Sequence, residues 1–155
     1  VNEKPNSIPW PPIFYGTAIF AGFVLQAYLP LPWLPGFIGD FLVMAGILMI
    51  LAAIFIDLRT FWVLRKHKTT VLPHKAASHL VTTGPFAVSR NPIYVANTML
   101  VFGIGVTFGS AWHLLTGLLA ALATNAFGIK REEKHLEHRF GSAWRHYRKS
   151  VKRWI

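Results

Sequence analysis

Residues 41–55 read FLVMAGILMILAAIF, and this stretch decides the fold. Wound into a helix, it has no polar face at all. A helix of a soluble bundle keeps a polar stripe toward water; one that is apolar all round is buried or sits in lipid. The apolar run extends to residues 36–56, with Asp40 as its only charge. That is enough to cross ~30 Å of hydrocarbon, which takes ~20 apolar residues.

Working outward, three further runs match it. Residues 13–29 and 93–108 carry no charge and are short, flanked by the aromatics Trp10, Phe14 and Tyr94. Residues 111–129 are also uncharged, with His113 near their start. The expected fold is therefore all-α and integral to a membrane: four transmembrane helices in one domain covering residues 1–155. A cytoplasmic connector (57–92) joins the second and third, and a basic tail (130–155) follows the fourth. The first run has a weak basic flank and no small-residue cleavage signal, so it reads as a span rather than a cleaved leader.

Composition agrees. Hydrophobic residues make up 53% of the 155 and charged residues 14%, against about 25% charged in soluble domains. Lys and Arg number 16 against 6 acidic residues, a net +10. In a soluble chain that excess would point to nucleic acid. Here its distribution points elsewhere. Lys4, the six cations of the connector and the nine of the tail all fall on one side if both termini are cytoplasmic. The opposite connectors, at 30–35 and near Gly109-Ser110, carry none. This is the positive-inside pattern, and it makes anionic lipid, not nucleic acid, the expected charged partner.

The polar chemistry is confined to the connector and tail. Residues 57–68 (DLRTFWVLRKHK) follow the second span without Gly or Pro and should prolong its helix into the cytoplasm. Residues 69–92 (TTVLPHKAASHLVTTGPFAVSRNP) are punctuated by Leu72-Pro73, Gly84-Pro85 and Asn91-Pro92, and read as a long irregular loop. Such loops are usually functional when not disordered, and the Val, Leu and Phe content argues against disorder. Asn91 fits a helix N-cap and Pro92 the first helical position, where free N–H groups suit an anion.

The tail (KREEKHLEHRFGSAWRHYRKSVKRWI) should be helical to Arg139, break at Gly141, and resume as an amphipathic helix on the membrane surface. Its apolar side would be Trp144, Tyr147, Val151 and Trp154. Glu132 and Glu133 sit ~100° apart on that helix and cannot both face one atom. Seven histidines include His135 and His138 at i,i+3, but no H-E-x-x-H occurs and cysteine is absent. No metal site is expected. Gly103 and Gly105 lie inside an apolar span, where small residues allow close helix packing.

Residues 80–95 (LVTTGPFAVSRNPIYV), followed by Arg131-Glu132-Glu133, Arg139-Phe140-Gly141, Tyr147 and VKRW at 151–154, resemble the isoprenylcysteine carboxyl methyltransferase and phospholipid methyltransferase superfamily, most closely its short bacterial members. The resemblance implies a membrane methyltransferase using S-adenosylmethionine without a Rossmann domain, in a bacterial inner membrane. The cofactor would enter from the cytosol and a lipophilic acceptor from the bilayer.

By the same resemblance, Gly84, Pro85, Arg90, Asn91, Pro92 and Tyr94 would shape the cofactor pocket, lined by Leu80 and Val81. Glu132 and Glu133 would close it, with His74 or His79 reaching the cofactor. Arg90, Tyr94 and Glu133 are the expected catalytic residues. Asn91 stands where many relatives have His. Phe127 and Gly128 occupy the region of an Arg that the eukaryotic isoprenylcysteine enzymes use for the substrate carboxylate. The acceptor class therefore stays open among carboxylate, amine and thiol. The rival reading is a non-enzymatic membrane scaffold whose basic tail binds anionic lipid or a partner.

Overall fold

The computed structural model describes residues 10–68 and 79–155. Those residues form helices joined by short turns, with no strand among them. Helix α1 spans Trp10–Tyr28, and Pro11 and Pro12 sit in its first turn, where a missing N–H is no loss. Helix α2 spans Gly36–Lys66. It runs unbroken from the apolar stretch through the basic one, so the expected continuation past residue 56 is present. Its outer surface is apolar: Phe37 is 86% exposed, Leu48 62% and Phe55 64%. No water-facing helix would carry that surface.

Helix α3 (Pro92–Thr107) turns at Gly109 into α4 (Ala111–Ala123). A π-helical stretch, Thr124–Ile129, then leads without a gap into α5 (Lys130–Ser150). Two helical stretches, Gly36–Lys66 and Ala111–Ser150, are long and apolar enough to cross a membrane, and Pro92–Thr107 is a shorter apolar helix.

Helix α2 packs on α3, and α1 on α4. The α2–α3 contact depends on close backbone approach: a Cβ at Gly103 would lie 3.0 Å from the Gly46 carbonyl oxygen and 2.9 Å from Ile50 Cγ1. The main core holds Tyr15, Ala18, Tyr94, Val101, Ala120 and Ile129. A second cluster joins Val63 and Leu64 of α2 to Val81 of the connector.

Two expectations for the tail need correction. Gly141 does break α5, with φ 50° and ψ −116°, but the helix beyond it does not run to the end. Helix α5 stops at Ser150, and Val151 is extended (φ −123°, ψ 133°). The backbone of the last residues bonds to the connector instead of to its own helix: the Arg90 N–H donates to the Lys152 carbonyl at 2.9 Å. Nor does the apolar side of α5 lie open to lipid. Trp144 and Tyr147 are buried at 2% and 6% exposure, and the Tyr147 hydroxyl donates to the Phe86 carbonyl at 2.6 Å.

Candidate functional site

The connector reaches α3 through a single 3₁₀ turn, Gly84–Ala87, in which the Pro85 carbonyl accepts from the N–H groups of Val88 and Ser89. Gly84 backs onto Val63 of α2. Asn91 then takes the N-cap position with Pro92 at the first helical position. Its carbonyl accepts from the Tyr94 and Val95 N–H groups. Its side chain does not cap the helix; Asn91 Nδ2 donates to the Arg153 carbonyl at 2.8 Å.

This turn delivers Arg90 and Tyr94 to the first turn of α5. The Arg90 Nη1 lies 3.0 Å from Glu133 Oε1, and the two side chains are 8% and 10% exposed. The approach has the distance of an ion pair without the angle of a hydrogen bond. Arg90 Nε and Nη1 are both buried with no hydrogen-bond partner among the described residues. The guanidinium also lies over the Trp144 ring, 5.5 Å from its centroid. Burial pulls the Arg90 pKa below its ordinary value, Glu133 opposes the shift, and Arg153 and Arg148 add to it.

Glu133 is held by a second cation. Arg153 Nε donates to Oε1 at 2.9 Å and Nη2 to Oε2 at 2.6 Å, a bidentate fork. That bond is the main reason the Arg153 pKa is raised. A third donor, Nη1, reaches Asn125 Oδ1 of the π-helical stretch at 3.3 Å.

Glu132 takes the neighbouring facet of α5 and has a different partner. The Tyr94 hydroxyl donates to Glu132 Oε2 at 3.1 Å. Burial raises the Glu132 pKa; the Tyr94 hydrogen bond works against the rise and Glu133 adds to it. Behind Tyr94, the Tyr15 hydroxyl lies 3.2 Å from the Tyr94 carbonyl oxygen and 2.7 Å from the Thr98 hydroxyl. This fixes the first turn of α3 against α1.

The structure thus brings Arg90, Asn91, Tyr94, Glu132 and Glu133 into one cluster at the starts of α3 and α5. The other described candidates belong to the connector and the helix start. Pro92 is buried at the helix start. Val81 is 7% exposed and packs on α2. Leu80 lines an open groove of about 860 Å³ with Thr82, Ser142, Ala143, His146, Tyr147 and Ser150. Tyr147 is shared with the charged cluster, since its ring contacts Trp144, which Arg90 covers. His79 is exposed, and His74 lies outside the described residues. Sequence reasoning missed Arg153, Asn125 and Ser89. No spacing rule singles out the Arg of VKRW at 151–154.

The profile of the family described as Phospholipid methyltransferase matches residues 41–143, about two thirds of the chain, from within α2 into α5. An uncharacterized protein of Haemophilus influenzae (strain Rd) is 30% identical over 63 residues, which cover 41% of this chain and 100% of that protein. The matched region contains Arg90, Tyr94, Glu132 and Glu133, and the chain belongs to the phospholipid methyltransferase family.

Proposed function

We propose that this chain is an S-adenosylmethionine-dependent methyltransferase acting on a small lipophilic acceptor at the cytoplasmic face of a bacterial inner membrane. It would be one domain with four spans, 13–29, 36–56, 93–108 and 111–129, and both termini cytoplasmic. The observation that carries the reading is the pairing of Arg90 and Tyr94 with Glu133 and Glu132, with two buried Arg90 nitrogens making no hydrogen bond among the described residues.

Those residues fit the cofactor group by group. Its carboxylate needs buried cationic N–H donors, and Arg90 Nε and Nη1 are such donors. Its ammonium and ribose hydroxyls need acceptors, which Glu133 and Glu132 supply. The groove at Leu80 and Tyr147 is lined by none of these charged residues and reaches them through the Tyr147–Trp144 ring contact. When bound, S-adenosylmethionine supplies a methyl group that passes to an acceptor lone pair while sulfur keeps the electrons of the broken C–S bond.

The protein's share is orientation. Holding donor and acceptor in line is worth ~7–11 kcal/mol. Tyr94 keeps Glu132 in place through Oε2, so Oε1 can take the proton that an amine or thiol acceptor must lose. A raised pKa suits Glu132 to that task. Arg90 fixes the donor end, and Asn91, Gly84 and Pro85 hold the loop that carries it. The scaffold reading loses ground because Trp144 and Tyr147, the residues meant for the bilayer surface, are consumed by packing inside the protein.

The test is saturation binding of S-adenosylhomocysteine to purified protein, with Arg90→Ala and Glu133→Ala beside it. We expect binding by the wild type and a loss of tenfold or more in either variant. No binding, or equal binding by folded variants, sinks the proposal. Labelled methyl donor added to a membrane extract, followed by mass identification of the product, then names the acceptor.

A further inference from the structure

Glu133 is one buried carboxylate between two guanidinium groups, and the two treat it differently. Arg153 takes it as a fork, using both oxygens at 2.9 and 2.6 Å. Arg90 brings Nη1 to 3.0 Å from Oε1 but spends no hydrogen bond on it, and neither Nε nor Nη1 makes a hydrogen bond among the described residues, in a side chain 92% buried. Buried charged donors without hydrogen bonds are costly, so a structure that keeps them has something else holding them in place.

That something is the segment at 151–155. Three hydrogen bonds tie its backbone to the residues around Arg90. The Arg90 N–H donates to the Lys152 carbonyl. The Ser89 hydroxyl donates to the Arg153 carbonyl at 3.2 Å, and Asn91 Nδ2 donates to the same oxygen at 2.8 Å. Trp154 packs against the main core. Arg153 is therefore fixed relative to Arg90 by the neighbours on either side of it, and relative to α5 by its fork and by Asn125.

We infer that Arg153 is a positioning residue: by satisfying Glu133 it keeps Arg90 from closing on that carboxylate and leaves the Arg90 N–H groups to receive the carboxylate of the cofactor. The inference rests on the cofactor reading above. It goes beyond that reading in assigning a division of labour between two arginines and a role to the extended tail. Without Arg153, Glu133 would have Arg90 as its one cation among the described neighbours. An off-axis contact at 3.0 Å needs only a small rotation to become a bidentate pair. The anion seat would then be filled from within.

The consequence is ligand-specific, which separates it from a general loss of structure. Two ligands are compared on the full-length protein in detergent: S-adenosylhomocysteine and its decarboxylated analogue, which keeps the adenosine, thioether and ammonium. We expect the wild type to prefer the carboxylate-bearing ligand by about tenfold or more, as a charge-assisted hydrogen bond implies. Arg153→Ala should erase that preference while changing affinity for the analogue less than about twofold. Arg153→Lys keeps the charge without the fork and should lose part of the preference; it carries the test if Arg153→Ala does not fold.

A preference that survives in Arg153→Ala, or an equal loss for both ligands, overturns the inference. A wild type that binds both ligands equally overturns it too, while leaving the cofactor reading intact. A wild type that binds neither removes the cofactor reading and this inference together.

Discussion

Glu132 and Glu133 are adjacent in sequence and have opposite electrostatic surroundings. Glu133 is flanked by two guanidinium groups, whereas Glu132 has the Tyr94 hydroxyl. Burial raises the Glu132 pKa above its ordinary 4.5. A carboxyl that holds its proton more tightly when folded contributes stability below pH 4.5, and that contribution is lost as pH rises through the raised value. The ionised group is thus a burden at neutral pH. Glu132→Gln keeps an acceptor for Tyr94 and removes the charge. It should melt at a higher temperature than the wild type at neutral pH, with the gap closing as pH falls below the ordinary carboxyl range. A gap independent of pH would show that Glu132 is not held above its usual range. The sequence made both carboxylates visible and could not assign them, because a helix places neighbours on different facets without saying what faces each.

At the scale of elements, the backbone at two glycines is decisive. Gly141 has φ 50° and ψ −116°, which any side chain would strain by ~1–3 kcal/mol. Gly141→Ala should lower the melting temperature and loosen Trp144 and Tyr147 from the connector, seen as increased cleavage there in limited proteolysis. Gly103→Ala would push a methyl to 2.9 Å from Ile50 and 3.0 Å from the Gly46 carbonyl. Parting α2 from α3 in this way should destabilise by ~1–3 kcal/mol, read as a lower melting temperature in the same detergent; an unchanged value would mean the two helices are not that close.

Both glycines were legible from their neighbours, as was the helix start at Asn91-Pro92. The end of the tail was not. Val151 and Trp154 continue the amphipathic spacing of α5, and it is bonds to distant residues, Ser89 and Asn91 among them, that draw the segment out straight. The π-helical stretch was equally hidden, since an apolar run looks the same in either register. Asn125 inside it therefore gave no sign that it would meet Arg153.

For the whole molecule, the proposed orientation, drawn from the separation of apolar from basic residues, is one that experiment can read directly. The chain has no cysteine, so single cysteines can be introduced one at a time. Leu31→Cys, in the uncharged connector between α1 and α2, should react with an impermeant maleimide applied from outside intact cells. His146→Cys, on the exposed side of α5, should react only after the membrane is opened. The reverse result would invert the proposed topology. The apolar helices were readable because lipid imposes a simple rule on composition; the cluster at the starts of α3 and α5 depends on packing that no composition rule describes.

The bond between Ser89 and Arg153 spans 64 positions. A ribosome adding ~5–20 residues per second needs several seconds to go from one to the other. During that interval the nascent connector has emerged, while the chain that will receive its Ser89 hydroxyl and Asn91 amide has yet to be made. Those donors must meanwhile be satisfied by water or by lipid headgroups. Folding of this region therefore includes an exchange of solvent partners for the incoming carbonyls of Lys152 and Arg153, and the connector cannot take its final bonds until residue 153 has been made.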